Sequence, residues 1–109
     1  MSFKLPRHFA SQHREANVEA LNYEILQESA ATLARLGRRL ERALEALAAH
    51  DAGGGAEAER DALVAAAGEA LWYYVVQREV MGLSGTEVLL RELGVPREVR
   101  LRMGLPPRR

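Results

Sequence analysis

Five polar residues stand in two short runs that could do chemistry together: Glu24 and Glu28, in LNYEILQE, and the consecutive Gln77, Arg78 and Glu79, in WYYVVQREV. A carboxylate beside a guanidinium at the border of an apolar stripe can bind an anion or hold a proton for acid–base work, because charge-assisted pairs strengthen where few waters compete. The same pair can simply fix the register of two helices, which is the commoner use of an ion pair in a bundle. The structural use is favoured, so no catalytic residue is assigned.

Carboxylates on bundle helices also raise a di-iron centre, which needs a Glu from each of two helices and Glu-x-x-His from two more. No Glu-x-x-His occurs, His8, His13 and His50 show no ligand spacing, and Cys is absent. Metal binding and thiolate chemistry are not expected, and no cofactor is assigned. Gly53-Gly-Gly55 is followed by Ala-Glu rather than Lys-Ser/Thr, so it is not a phosphate loop. No nucleophile, base and acid can be assembled from these histidines, and a hydrolase is disfavoured. The reading is non-enzymatic.

Helices must carry both runs. Leu, Ala, Glu and Arg dominate the chain, and all are good helix formers. After Asn17, a reasonable N-cap, the residues Val18, Leu21, Ile25, Leu33, Leu36, Leu40, Leu44 and Leu47 recur in steps of three and four, with Ser29 in the gap. That spacing predicts a helix from Asn17 to near His50 with a narrow, heptad-like stripe of the coiled-coil kind. Asp51-Ala-Gly-Gly-Gly55 is turn chemistry, and a second helix is expected from Ala56 to Met81 with Gly82 at its C-terminal cap. Trp72 to Val76 has strand-like composition, but no turn separates it from its helical flanks and no second strand could pair with it.

Ser84-Gly-Thr-Glu87 has capping-box spacing and predicts a short helix to Leu93, ended by Gly94; Pro96 then opens another, to Met103. The organisation expected is an extended N-terminal arm over 1–16, anchored through Phe3, Leu5 and Phe9, one helical domain over 17–104, and a tail over 105–109.

A hairpin folded about Gly53 puts Leu33 opposite Tyr73, Leu36 opposite Ala70, Leu40 opposite Ala66, Leu44 opposite Ala62, and Glu28 opposite Arg78. Large then faces small, as close packing requires. The second helix is apolar on nearly every side between Ala62 and Val76, so one neighbour cannot cover it. The short C-terminal helices are expected to cover part of its wide, aromatic end. A second copy covers the rest through Leu71, Trp72, Tyr73, Tyr74, Val75 and Val76. The fold class is therefore all-α, a long antiparallel hairpin plus two short C-terminal helices, assembled as a homodimeric four-helix bundle.

The bulk properties agree with one small globular domain: 109 residues, 48% hydrophobic and 28% charged, with net charge zero. No apolar run has the length of a signal core or a membrane span, so no membrane partner is expected and the cytoplasm is the expected location. The ends are basic and the middle acidic. Arg97, Arg100 and Arg102 on a short second helix faintly suggest a helix-turn-helix, but Glu92 and Glu98 dilute the field, and nucleic acid is disfavoured. Trp72, Tyr73 and Tyr74 could also wall a small-molecule site. Core and interface are the commoner uses of such a run.

The segments LNYEILQESA (Leu21 to Ala30), ALWYYVVQREVMGL (Ala70 to Leu83) and LRELGVPREVRLRMG (Leu90 to Gly104) resemble a small bacterial family of unknown function. Its members pair L-x-Y-E-I-x-x-E with W-x-x-x-x-Q-R-E-x-x-G and P-x-E-V-x-x-x-x-G. The resemblance implies a compact all-helical protein and places Glu24, Glu28 and Gln77 to Glu79 within shared segments. It transfers no activity. The function expected is that of an interaction or regulatory protein acting as a homodimer, with an unidentified protein partner as a further option.

Overall fold

The computed structural model describes residues 7–105. Four helices follow in order: α1 (Arg7–Gly53), α2 (Glu57–Val80), α3 (Thr86–Glu92) and α4 (Arg97–Arg102). Among the described residues there is no strand, and the protein is all-α. Two compact units divide the chain, one ending at Ala31 and the other beginning at Thr32.

Within the first unit the described chain is the N-terminal part of α1. Residues 7–16 of the expected extended arm are helical, which removes Asn17 as an N-cap, and residues 1–6 of it lie outside the described residues. The physical reason is that no Gly or Pro lies between Arg7 and Leu36, so nothing stops the helix from extending back through the polar residues. Phe3 and Leu5 lie outside the described residues, and Phe9's side chain does too. The large apolar residues Val18, Leu21, Tyr23, Ile25 and Leu26 are all half or more exposed.

In the second unit the rest of α1 joins α2 through Gly54 to Ala56, and a continuous core forms from Leu40 and Leu47 of α1, Val64, Ala67, Ala70 and Leu71 of α2, Leu90 of α3 and Val99 of α4. Leu40, Leu71 and Val99 are fully buried. Each such side chain contributes about 1.5–3 kcal/mol by leaving water. The register differs from the expected one by about one and a half helical turns: Gly37 lies against the ring of Tyr74, and Arg39 stands over the ring of Tyr73, where Leu33 was expected. α1 runs on to Gly53, so the fold-back falls later than a hairpin centred on Gly53 requires. Large still faces small, but the pair is Tyr74 and Gly37.

The ends of α2 and α3 are built alike. The N–H groups of Gly82 and Leu83 donate to the carbonyls of Glu79 and Arg78, and those of Gly94 and Val95 to Arg91 and Leu90. Both are the six-to-one, five-to-two closure that a residue with positive φ permits, and Gly82 has φ 70°. The capping box expected at Ser84 is not formed. Gly85 is the N-cap, in a left-handed conformation (φ 78°), so α3 starts two residues beyond Ser84.

α4 lies across α2 rather than over its aromatic end alone. Glu98, in its first turn, meets Arg60 near the start of α2, while Arg102, in its last turn, meets Asp61 and crosses Gly68. A Cβ on Gly68 would sit 2.9 Å from Arg102 Cβ and 3.1 Å from its backbone carbonyl. Only glycine allows this approach.

Candidate functional site

Ala66 and Ala62 do not face Leu40 and Leu44 as expected; Ala67 and Ala70 enter the core with Leu40 instead. Ala58, Ala62 and Ala66 are exposed and, with Ala65, floor an open groove of about 810 Å³ on the other side of the helix. Trp72 and Tyr73 line the groove too, and Arg102 at the end of α4, with Gly104 and Leu105 beyond it, forms a wall. Gly104 holds the Trp72 ring closely: a Cβ there would lie 3.2 Å from the indole Cε3.

The groove's charged groups are tied in pairs. Arg102 Nη1 donates to Asp61 Oδ1 at 2.9 Å, and the Arg102 side chain is nearly buried. Arg39 Nη2 lies 3.4 Å from Glu69 Oε1, with its guanidinium carbon 5.2 Å from the Tyr73 ring centroid. The groove therefore offers apolar surface with neutralised edges. That combination suits a helix or a flat amphiphile better than an ion.

The residues expected to form the dimer face separate into three kinds. Leu71 is fully buried and belongs to the core, so it presents nothing to a partner. Tyr74 and Val75 are half-buried and pack against the core, and Val76 is half-buried. Trp72 and Tyr73 are left 45% and 47% exposed. Two of six residues thus point outward at the groove.

The expected polar cluster is divided between the units. Glu24 and Glu28 lie exposed in the first. Gln77 and Arg78 are half-buried and Glu79 is exposed, at the end of α2 in the second. Arg78 is held within its own unit: Nε donates to Thr86 Oγ1 at 3.1 Å and Nη2 to the Ser84 carbonyl at 2.8 Å. The guanidinium organises the turn into α3. Sequence spacing does not show this, because it reads Ser84 as an N-cap paired with Glu87 and gives Thr86 no part.

A second cluster was not anticipated. Arg60 donates through Nε to Asp51 Oδ1 and through Nη1 to Glu98 Oε2, both at 2.7 Å. Hydrogen bonding from Arg60 holds the carboxyls of Asp51 and Glu98 below their ordinary range and pushes the guanidinium up. One side chain so joins α1, α2 and α4. His50 sits beside this junction against Gly55, its ring nitrogens 3.9 and 3.7 Å from carboxylate oxygens of Asp51 and Glu59. Those distances are too long for hydrogen bonds.

Among the described residues no group of three or more His, Asp or Glu side chains is placed to hold a metal ion, and no helix is long and apolar enough to cross a membrane. Of the three arginines considered for nucleic acid, Arg100 pairs with Glu87 at 3.1 Å and Arg102 with Asp61, while Arg97 is exposed.

A family model described as a family of unknown function, DUF6665, matches residues 9–108. The chain belongs to the DUF6665 family. All four helices, the α2 groove and the Arg60 junction fall within the matched DUF6665 span, apart from the first residues of α1. No curated protein and no solved structure matches the chain.

Proposed function

We propose that this DUF6665 member is a non-enzymatic interaction protein that works as a homodimer. The observation that supports the reading is the exposed pair Trp72 and Tyr73 beside the floor of small residues on α2. Aromatic side chains next to small ones are the anchors and sockets of helix-to-helix contacts, and a large aromatic left half in water favours association. The pairing of Arg102 with Asp61 and of Arg39 with Glu69 supports it further, since docking there would bury no lone charge. The cysteine-free composition fits a reducing compartment such as the cytoplasm. Sedimentation equilibrium at about 10 µM, near the strength expected of a micromolar dimer, tests the reading: a dimer supports it, and a monomer at that concentration rejects it.

A second reading rests on the same groove. Its size and its Trp72 wall suit a small aromatic or amphiphilic molecule. A thermal-shift screen of planar aromatic acids and amines would reveal such a ligand as a rise in melting temperature that Trp72→Ala abolishes.

A further inference from the structure

The open side of α2 carries a gradient of side-chain size. In alternating steps of four and three, Ala58, Ala62, Ala65, Glu69, Trp72 and Val76 form one line along the helix. All six are exposed or half-buried, whereas Val64, Ala67, Gly68, Ala70 and Leu71 turn inward and are buried. The three small residues occupy the first half of the line and the three larger ones the second. Its single charge, Glu69, is met by Arg39 Nη2 at 3.4 Å. α4 crosses α2 at Gly68 and α1 packs on it at Tyr74, both off this line, which leaves the line open.

We propose that the occupant of the α2 groove is α2 of a second copy, lying antiparallel, with Trp72 of each chain seated over Ala62 of the other. The inference rests on the homodimer reading above and specifies its face and direction. All the residues it uses belong to the second unit.

The gradient decides the direction. When two such lines run antiparallel about a two-fold axis beside Ala67, Ala58 meets Val76, Ala62 meets Trp72, and Ala65 meets Glu69. Every layer then sets a small side chain against a larger one, as close packing requires, and two-fold symmetry forms each contact twice. The heptad spacing is kept as well: Ala58, Ala65 and Trp72, seven apart, face Val76, Glu69 and Ala62, also seven apart. A parallel pair would stack Trp72 on Trp72 and hold the alanine ends apart. Glu69 is the one charge within the line, and a single polar layer fixes register at some cost in affinity. Trp72 and Tyr73, 45% and 47% exposed, each leave about 90 Å² in water. Four such rings supply about a third of the roughly 1,000 Å² that a specific interface buries, with the alanine floors and the exposed Leu105 beside them.

Cysteine crosslinking tests this cleanly, because the chain has no cysteine of its own. Ala58→Cys and Val76→Cys are made as separate variants, and circular dichroism checks that both remain helical. Mixed in equal amounts under mild oxidation, they should give a covalent dimer containing one of each. Ala58→Cys alone should give none, since two such positions lie about 27 Å apart along antiparallel helices. A covalent dimer from Ala58→Cys alone marks a parallel pair, and no product from the mixture while the parent sediments as a dimer puts the interface elsewhere. Either result overturns the proposal and leaves the dimer standing. A monomeric parent removes both, and a monomer whose melting temperature rises with a planar aromatic acid gives the groove to a small ligand instead. If either cysteine variant does not fold, Ala62→Glu provides the readout. Ala62 is exposed, so the folded monomer tolerates the carboxylate, whereas the antiparallel dimer would bury it unpaired beneath the partner's Trp72 and should be lost. Unimpaired dimerisation of Ala62→Glu overturns the proposal.

Discussion

Arg60 grips Glu98 across the fold, Nη1 donating to Oε2 at 2.7 Å and Nη2 to Oε1, while its Nε holds Asp51 on the other side. Both acids have folded-state pKa values below the ordinary 3.8 of Asp51 and 4.5 of Glu98, chiefly because Arg60 hydrogen-bonds to them. A carboxylate with a depressed folded pKa stabilises the fold above its unfolded value and loses that contribution as pH falls through its folded one. The melting temperature of the parent should therefore exceed that of Arg60→Gln at neutral pH, and the gap should close as pH falls below about 4, the carboxylate range. Melting curves at a series of pH values check it; a gap independent of pH contradicts it.

Gly68 gives the sharpest steric prediction. Alanine is the better helix former by about 1 kcal/mol, so propensity alone would make Gly68→Ala stabilising. The new methyl would instead meet Arg102 Cβ at 2.9 Å and the Arg102 backbone at 3.1 Å, and the backbone cannot swing aside as a side-chain tip can. Overpacking of this kind costs about 1–3 kcal/mol, so the net effect should be destabilising. Urea denaturation measures it directly.

Arg78 and Thr86 should behave as one unit. Removing the hydroxyl with Thr86→Val leaves the Arg78 Nε–H without that acceptor, and Arg78→Lys abandons both Thr86 and the Ser84 carbonyl. A hydrogen bond from a charged donor is worth about 1.5–3 kcal/mol, and each single change should cost a fraction of that because the site is only part-buried. The double variant should be destabilised by clearly less than the two single changes added together. Strict additivity in a double-mutant cycle would show that the bond does not hold the turn.

The sequence made the helices legible because their signals are local. Glycines end α2 and α3 at Gly82 and Gly94 as read, and the run through Trp72 is helical rather than a strand. What depends on the third dimension was not legible. The hairpin register moved because α1 continues into the glycine turn as far as Gly53, and a slip of that size redirects every facing pair. Ser84 carries the right residue type for an N-cap, yet Gly85 takes that place and the Ser84 carbonyl serves Arg78. Arg60, Asp51 and Glu98 lie on three different helices, and no spacing rule connects them. The hydrogen bonds of Arg78 to Thr86 and to the Ser84 carbonyl are equally invisible to spacing, because composition shows a charge but not which neighbour the turn brings to it.

Leu71 and Trp72 are adjacent in sequence and opposite in role, which makes them a paired test of fold against association. Leu71 is fully buried in the core, so Leu71→Ala should cost about 2–5 kcal/mol by lost transfer energy and the cavity left behind. For a domain of this size the melting temperature should fall by roughly ten degrees or more. Trp72 is 45% exposed and rests one face against Gly104. Trp72→Ala should lower stability by less than Leu71→Ala when both are measured under dilute conditions where the chain is monomeric. At higher concentration the order should change in a second observable: the Trp72 variant stays folded and loses concentration-dependent stabilisation, because a partner that binds only the folded chain raises its melting temperature by mass action. Melting curves over a hundredfold range of protein concentration separate the two effects. If the parent and Trp72→Ala depend on concentration alike, the Trp72 face takes no part in association and its aromatic ring serves only to seat Gly104.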